Sequence, residues 1–236
     1  MKPYYEHGGV TIYLGDCLDV LPQLPTARLA FSDPPYNSGL KYGAGTNDQR
    51  DDYWEWLGER IAAMRAVGEA VVVKHSALKL PEFVSRFPGR VLVWHKTFSS
   101  GFPLHGIATH WEPLHLLQGK SARWTQDVFA CSTGNHHDPG TGHPAQFPER
   151  LARWVVETFT SPGDLLIDSC TGSGTMLVAA KQLGRRAIGI EIEERYCAIA
   201  AQRLQQEVMS FEEPMIKSEY EVARWQGSLL GEGLEI

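Results

Sequence analysis

Asp164-Leu-Leu-Ile-Asp168-Ser-Cys-Thr-Gly172-Ser-Gly174-Thr175, followed later by Ile188-Gly-Ile-Glu191, reads as strand, glycine turn, helix and second strand. The apolar run predicts a buried strand over 165–168, the turn spans 171–174, a helix runs to 183, and a strand covers 187–191. That is half of a doubly wound α/β sheet, which binds ligands beyond the carboxyl ends of its strands. Glycines at 172 and 174 let the backbone approach a ligand at a helix N-terminus. Glu191 ends the second strand, where one carboxylate can accept from both hydroxyls of a ribose. A dinucleotide site is the rival, but the third glycine of G-x-G-x-x-G falls on Leu177. Asp168, just before the turn, would repel a pyrophosphate and suits a cationic ligand.

Outward from this stretch, the chain alternates strand-like and helix-like segments, which predicts a mainly parallel Rossmann-like sheet with helices on both faces. Upstream strands are predicted over 10–14, 28–32, 70–74, 91–94 and 114–117. Helices are predicted over 16–21, ended by Pro22, from a cap at Asp51 or Asp52 onward, and over 78–86. A further helix with Pro148 in its first turn leads to Phe159, and a last one runs from about 194 to 208. The stretch from 96 to 142 is rich in Gly, Ser, Thr and His and reads as an irregular insert. The whole chain, 1–236, reads as a single domain with an acidic tail over 209–236.

The strand predicted over 28–32 runs into Asp33-Pro34-Pro35-Tyr36. An amine on an aromatic base is a poor nucleophile, because its lone pair is delocalised into the ring. Acceptors that hold its N–H groups release that lone pair toward an electrophile. Asp33 supplies one acceptor and the Pro34 carbonyl the other, fixed in an extended geometry by Pro35. Tyr36 offers a face on which a base can stack, an interaction worth roughly 1–3 kcal/mol. In isolation Asp-Pro-Pro is ordinary turn chemistry; at a strand end beside a nucleoside-type motif it is more.

Composition bounds the rest. The 236 residues carry a net charge of −6, of which the tail contributes −4 through six glutamates against Lys217 and Arg224. The body is thus nearly neutral, which neither favours nor excludes a nucleic-acid partner. Cys17, Cys131, Cys170 and Cys197 have neither disulfide-framework nor zinc-site spacing. His136, His137 and His143 lie in a loop-like segment and do not argue for a metal. No apolar run is long enough to span a membrane, and the polar N-terminus predicts a cytoplasmic protein.

Four segments in order resemble the beta group of DNA amino-methyltransferases, in which the catalytic motif precedes the cofactor motif. They are Leu14–Asp19, Asp33–Tyr36, His143–Leu151 and Gly163–Cys197, spread over most of the chain's length from 14 to 197. The resemblance implies S-adenosylmethionine as methyl donor, S-adenosylhomocysteine as product, and no metal. It assigns Asp33, Pro34, Pro35 and Tyr36 to catalysis. It assigns Asp16, Cys17, Asp33, His143, Phe147, Asp168, Ser169, Cys170, Thr171, Gly172, Ser173, Gly174, Thr175 and Glu191 to the cofactor, with Asp16 at its adenine. Three positions depart from the family, which commonly has Asp-Pro-Phe where this chain has Asp168-Ser169-Cys170 and a second Thr where it has Met176. A reactive-thiol role for Cys170 is disfavoured, since amine methylation needs no covalent intermediate.

The implied reaction is methylation of adenine N6 in DNA on a base turned out of the duplex, since Asp at the head of the tetrapeptide goes mostly with adenine in this family. Cytosine N4, an RNA or protein-amide substrate, and a DNA-binding homologue with weak catalysis are the alternatives. Lys41, Arg50, Lys96, Lys120 and Arg123 are expected at phosphates, and His105, Trp111 and Trp124 at bases. The short insert implies a short target, weak specificity or a homodimer; a paired restriction nuclease is left open.

Overall fold

The computed structural model describes residues 1–43, 48–97, 108–133 and 145–206. In chain order the elements are strands β1 (Tyr5–His7) and β2 (Val10–Leu14), helix α1 (Cys17–Val20), β3 (Ala27–Ser32), α2 (Tyr53–Val67) and β4 (Gly68–Lys74). These are followed by α3 (Leu80–Arg86), β5 (Arg90–Lys96), β6 (Trp111–Gln118) and β7 (Val128–Cys131). The chain continues with α4 (Glu149–Phe159), β8 (Leu165–Asp168), α5 (Thr175–Gln182), β9 (Arg186–Glu191) and α6 (Glu194–Gln205).

Side-chain alternation along the central strands builds two cores, one on each sheet face. Leu29 and Phe31 of β3, Ala70 and Val72 of β4 and Leu166 of β8 pack with α4, α5 and α6. Their neighbours Ala30, Val71, Val73 and Ile167 pack on the other face with α1, α2 and Phe83 of α3. Strands buried on both faces are why these segments read as continuous apolar runs.

The nine strands form one sheet in the order β1-β2-β9-β8-β3-β4-β6-β5-β7. From β2 through β4 all neighbours are parallel; β6 is antiparallel to both β4 and β5. The chain therefore winds from β3 toward β4 and, later, from β8 toward β9 in the opposite direction. Between β3 and β8 the order reverses, and this switch point opens a crevice at the carboxyl edge. The register pairs Phe31 with Asp168, so both sequence motifs leave the sheet side by side. Ser169 N–H donating to the Phe31 carbonyl at 3.0 Å extends that pairing one step past the strands.

Two glycines make the crevice possible. Gly174 sits at φ +83, and a Cβ there would lie 2.8 Å from the Ala200 Cβ, so α5 approaches α6 only with glycine at its start. A Cβ on Gly189 would meet the Leu177 Cδ1 at 2.6 Å, so the glycine in β9 admits α5 against the sheet.

Several elements differ from expectation. The strands β1 and β7 were not expected: β1 is three residues long, polar and largely exposed, and β7 is a four-residue apolar run, Val128–Cys131, inside the stretch read as an irregular insert. Pro22 does not simply end a helix: it occupies the first turn of a 3-10 segment, Leu21–Gln23, where its missing N–H costs nothing. Asp52 precedes α2 without capping it, because its carboxylate is taken by Arg50 at 2.9 Å. Pro148 is the N-cap of α4 rather than a residue of its first turn. The acidic tail lies outside the described residues.

Candidate active site

The carboxyl ends of β2, β3, β4, β8 and β9 surround a cavity of about 670 Å³, within the ~300–1,000 Å³ usual for small-molecule sites. Its walls include Asp33–Tyr36 on one side and Cys170–Ser173 on the other, with Asp16, Phe147 and Glu191 between.

At the tetrapeptide end the side chains form a buried charge cluster. The Lys74 ammonium, at the end of β4, lies 3.3 Å from each carboxylate oxygen of Asp33. It also donates to the Tyr36 hydroxyl and pairs with Glu112 Oε2 of β6 at 2.6 Å. Glu112 in turn pairs with Lys96 of β5. Tyr36 donates its hydroxyl to Asp33 Oδ1 at 2.7 Å. Two carboxylates and two ammoniums cancel, as burial requires, because an unpaired buried ion costs several kcal/mol. Burial pushes the Asp33 carboxyl up from the usual range, a shift opposed by the adjacent Lys74 charge. The Glu112 carboxyl is lowered: its two lysines outweigh the effect of burial. The Tyr36 phenol, raised far by burial and then by Asp33, stays protonated. The rings of Tyr36, Trp94 and Phe147 all lie within 6 Å of the Lys74 ammonium and give this end aromatic walls.

At the other end, Glu191 accepts from the Gly172 N–H at 2.7 Å and from the Glu193 N–H at 2.9 Å. These bonds fix the carboxylate at the cavity wall and leave further lone pairs for hydroxyl donors. The turn itself is tied down from below. Thr171 bonds its hydroxyl to the Asp168 carbonyl, and Arg203 of α6 donates to the Ser173 carbonyl at 2.6 Å. Gln146 donates to the Thr175 hydroxyl at 3.4 Å. Asp168 and Gly174 stand behind this wall rather than in it. Asp168 is 2% exposed and accepts from the Cys170 N–H, and burial raises its carboxyl to about 8. Cys170 lines the cavity, but burial drives its thiol well above the ordinary range, so it is a thiol and not a thiolate nucleophile.

Asp16 caps α1 through the Leu18 N–H at 2.9 Å, and its second oxygen pairs with Arg60 at 2.7 Å. Cys17, Asp16, Arg60 and Trp56 form the cavity wall here, with the Arg60 guanidinium 4.2 Å over the Trp56 ring. Phe147 packs against Phe31 at 6.0 Å between centroids. His143, His136 and His137 lie outside the described residues, as does His105. Among the described residues no cluster of His, Cys, Asp or Glu is fit to hold a metal ion, and no helix is long and apolar enough to cross a membrane.

Three side chains of this site escaped the sequence reading. Lys74 had a signal, a lysine closing an otherwise apolar strand; so did Arg60, set in the apolar stripe of α2. Glu112 had none, lying in the stretch read as irregular. The residues expected at phosphates and bases divide. Lys96 is committed to Glu112, and Arg50 holds Asp52 at the cavity rim. Lys120, Arg123 and Trp124 lie at the opposite, amino-terminal edge of the sheet. The register shows why: β6 runs from Leu114 beside Lys74 to Gln118 beside Val71, and those three residues follow its far end. There Arg123 pairs with Glu157 at 2.9 Å and Trp124 is 86% exposed.

Comparison with known proteins agrees with this geometry. Residues 108–202 match the family model of the N6/N4 methyltransferases, described as DNA methylase. The chain is 48% identical over 250 residues to the type II methyltransferase M2.DpnII of Streptococcus pneumoniae, covering 87% of this chain and 93% of that protein. Among solved structures, the PvuII DNA methyltransferase, which is cytosine-N4-specific, superposes with a TM-score of 0.71 at 20% identity, over 89% of this chain and 91% of that one. M1.HpyAVI in complex with S-adenosylmethionine gives a TM-score of 0.64 at 21% identity, over 84% of this chain and all of that one. With the catalytic motif ahead of the cofactor motif on one mainly parallel sheet, the chain belongs to the beta group of DNA amino-methyltransferases, enzymes dependent on S-adenosylmethionine.

Proposed function

We propose that the chain methylates the exocyclic amine of a single DNA base turned out of the helix into the β3/β8 crevice. The juxtaposition that supports this is Asp33 and the Glu191-bearing wall around one cavity, brought there by the Phe31–Asp168 register. The residues present fit the donor. Glu191 is a fixed acceptor for ribose hydroxyls, the 171–173 turn is a backbone wall open to close approach, Asp16 and Cys17 add to the lining from α1, and Phe147 from the tetrapeptide end. Ser169, Cys170, Thr171, Gly172, Ser173 and Thr175 line the cavity along that wall. Asp168 and Gly174 act from behind, by shaping the turn.

S-adenosylmethionine, when bound, supplies a sulfonium methyl that accepts the amine's electron pair as the carbon–sulfur bond breaks, leaving S-adenosylhomocysteine. The chain's part is positioning. Asp33 and the Pro34 carbonyl accept from the two amine N–H bonds and draw the lone pair out of the ring, and the surplus proton of the methylated, cationic amine leaves from the N–H held by Asp33 to water. Tyr36 stacks on the base, with its hydroxyl held by Asp33 and Lys74. The aromatic walls exclude water and strengthen these polar contacts.

The base has two readings. Asp33 at the head of the tetrapeptide supports adenine N6. The comparisons lean toward cytosine N4, since the relative above whose name states a base is cytosine-specific. Both bases present an amine donor beside a ring-nitrogen acceptor, so the pocket chemistry suits either. Methylating DNA with the pure protein and digesting it to nucleosides decides the matter. N6-methyladenine supports the first reading and N4-methylcytosine the second; a modified product in RNA or protein alone would overturn both.

A further inference from the structure

So far Lys74 has entered the activity only as a partner of the Tyr36 hydroxyl, yet it is 3% exposed and sits at the centre of the tetrapeptide end. A buried ammonium is expensive unless fully paired, and every partner of this one belongs to the site. We propose that Lys74 is a positioning residue for methyl transfer, holding the Asp33 carboxylate ionised and aimed as an acceptor, with Glu112 holding Lys74 in turn. The inference rests on the reading of Asp33 given above.

The geometry carries it. Lys74 reaches both oxygens of Asp33 at equal distance, and Tyr36 donates to one of them, so the carboxylate is held at both ends as well as countered in charge. Its ammonium is held in place, because Glu112 grips the same nitrogen from β6 and Tyr36 accepts from it at the tetrapeptide end. Lys96 neutralises the second oxygen of Glu112, so Glu112 anchors Lys74 without adding net negative charge. The other titratable groups facing Asp33 are Tyr42 on its own loop, Tyr53 of α2 and Asp168 of β8. The two tyrosines are raised by burial and stay neutral, and Asp168 is raised toward neutrality. Among the described residues Lys74 is thus the cation in contact with Asp33, and Glu112 the carboxylate of the same cluster.

This arrangement predicts opposite pH shifts for two neighbouring substitutions. Asp33 must be ionised to accept from the amine, so activity fails on the acid side as it protonates. In Lys74→Met the counter-ion is gone, the Asp33 carboxyl rises further, and the acid limb of kcat moves to higher pH. In Glu112→Gln a neighbouring negative charge is gone, the Asp33 carboxyl falls, and the same limb moves to lower pH. We expect displacements of about one pH unit each way, hence a loss of about tenfold in kcat for Lys74→Met on the acid side. Lys74→Arg should restore most of the limb's position. Affinity for S-adenosylmethionine, measured on each variant by calorimetry, should stay unchanged.

Limbs that stay in place, or move in the same direction in both variants, would overturn the role of Lys74. If Lys74→Met fails to fold, Glu112→Gln and Lys74→Arg still decide: an unmoved limb in the first, or a limb moved upward by it, is contrary to the proposal. Asp33→Ala separates this from the underlying reading. Inactive Asp33→Ala with unmoved limbs sinks the Lys74 proposal alone; active Asp33→Ala sinks the reading of Asp33 itself.

Discussion

Asp33→Ala is expected to remove methyl transfer while the protein still folds and binds S-adenosylmethionine. The substitution deletes the acceptor that draws the amine lone pair toward the methyl carbon, a contact needed most in the transition state. Removing one such preorganised group costs about 10²–10³ in kcat in other enzymes, and here the aiming of the base is lost with it. The fold should survive, because Lys74 keeps its pairing with Glu112 and so is not left as an isolated buried charge. Transfer of a labelled methyl group to duplex DNA measures the first effect, and calorimetric titration with S-adenosylmethionine the second. Wild-type-like transfer by this variant would end the proposed mechanism.

Glu191→Ala should do the reverse, weakening the cofactor and leaving base choice alone. Hydrogen bonds to a charged acceptor contribute roughly 1.5–3 kcal/mol each, so loss of even one ribose contact corresponds to about a 10- to 150-fold rise in Kd. The effect has a second source. The Gly172 and Glu193 N–H groups lose their common acceptor, so the wall of the cavity loosens as well. Titration with S-adenosylmethionine and S-adenosylhomocysteine reads the affinity, and nucleoside analysis of the product reads the base. Unchanged affinity would remove Glu191 from the site.

The parts of this molecule that could be read from its sequence are those where local chemistry and burial agree. The cofactor strand, its glycine turn and the carboxylate ending the next strand are contiguous in sequence, each with a distinct signature. Leu165–Asp168 is found at its expected bounds, and β2 likewise. Strands β5 and β6 extend beyond their apolar centres, because ladder bonding continues where one side chain in two meets solvent. That extension is what carries Glu112 into the site, and no local pattern announces it. The Lys74–Glu112 pair depends on an antiparallel register between strands distant in sequence, in which Lys74 stands opposite Leu114.

The recognition residues were the least legible. Exposed lysines, arginines and tryptophans look alike in a sequence whether they flank a crevice or lie across the sheet from it. For Lys120, Arg123 and Trp124 the direction of β6 decides the matter, and that direction follows from pairing with β4. Arg50 shows the same limit on a smaller scale. Its position near the site was expected, while its bidentate grip on Asp52 and its stacking over Trp56 are products of the folded loop.

The account stands or falls on the crevice between β3 and β8 as the meeting place of amine and methyl donor. A crystal structure of the protein with duplex DNA and a non-transferring analogue of S-adenosylmethionine addresses this directly. The predicted result is one base outside the helix, its ring against Tyr36, its amine within hydrogen-bond distance of Asp33, and the ribose hydroxyls of the analogue on Glu191. An ordered analogue with every base still stacked in the duplex, or with the extruded amine held away from Asp33, would contradict it.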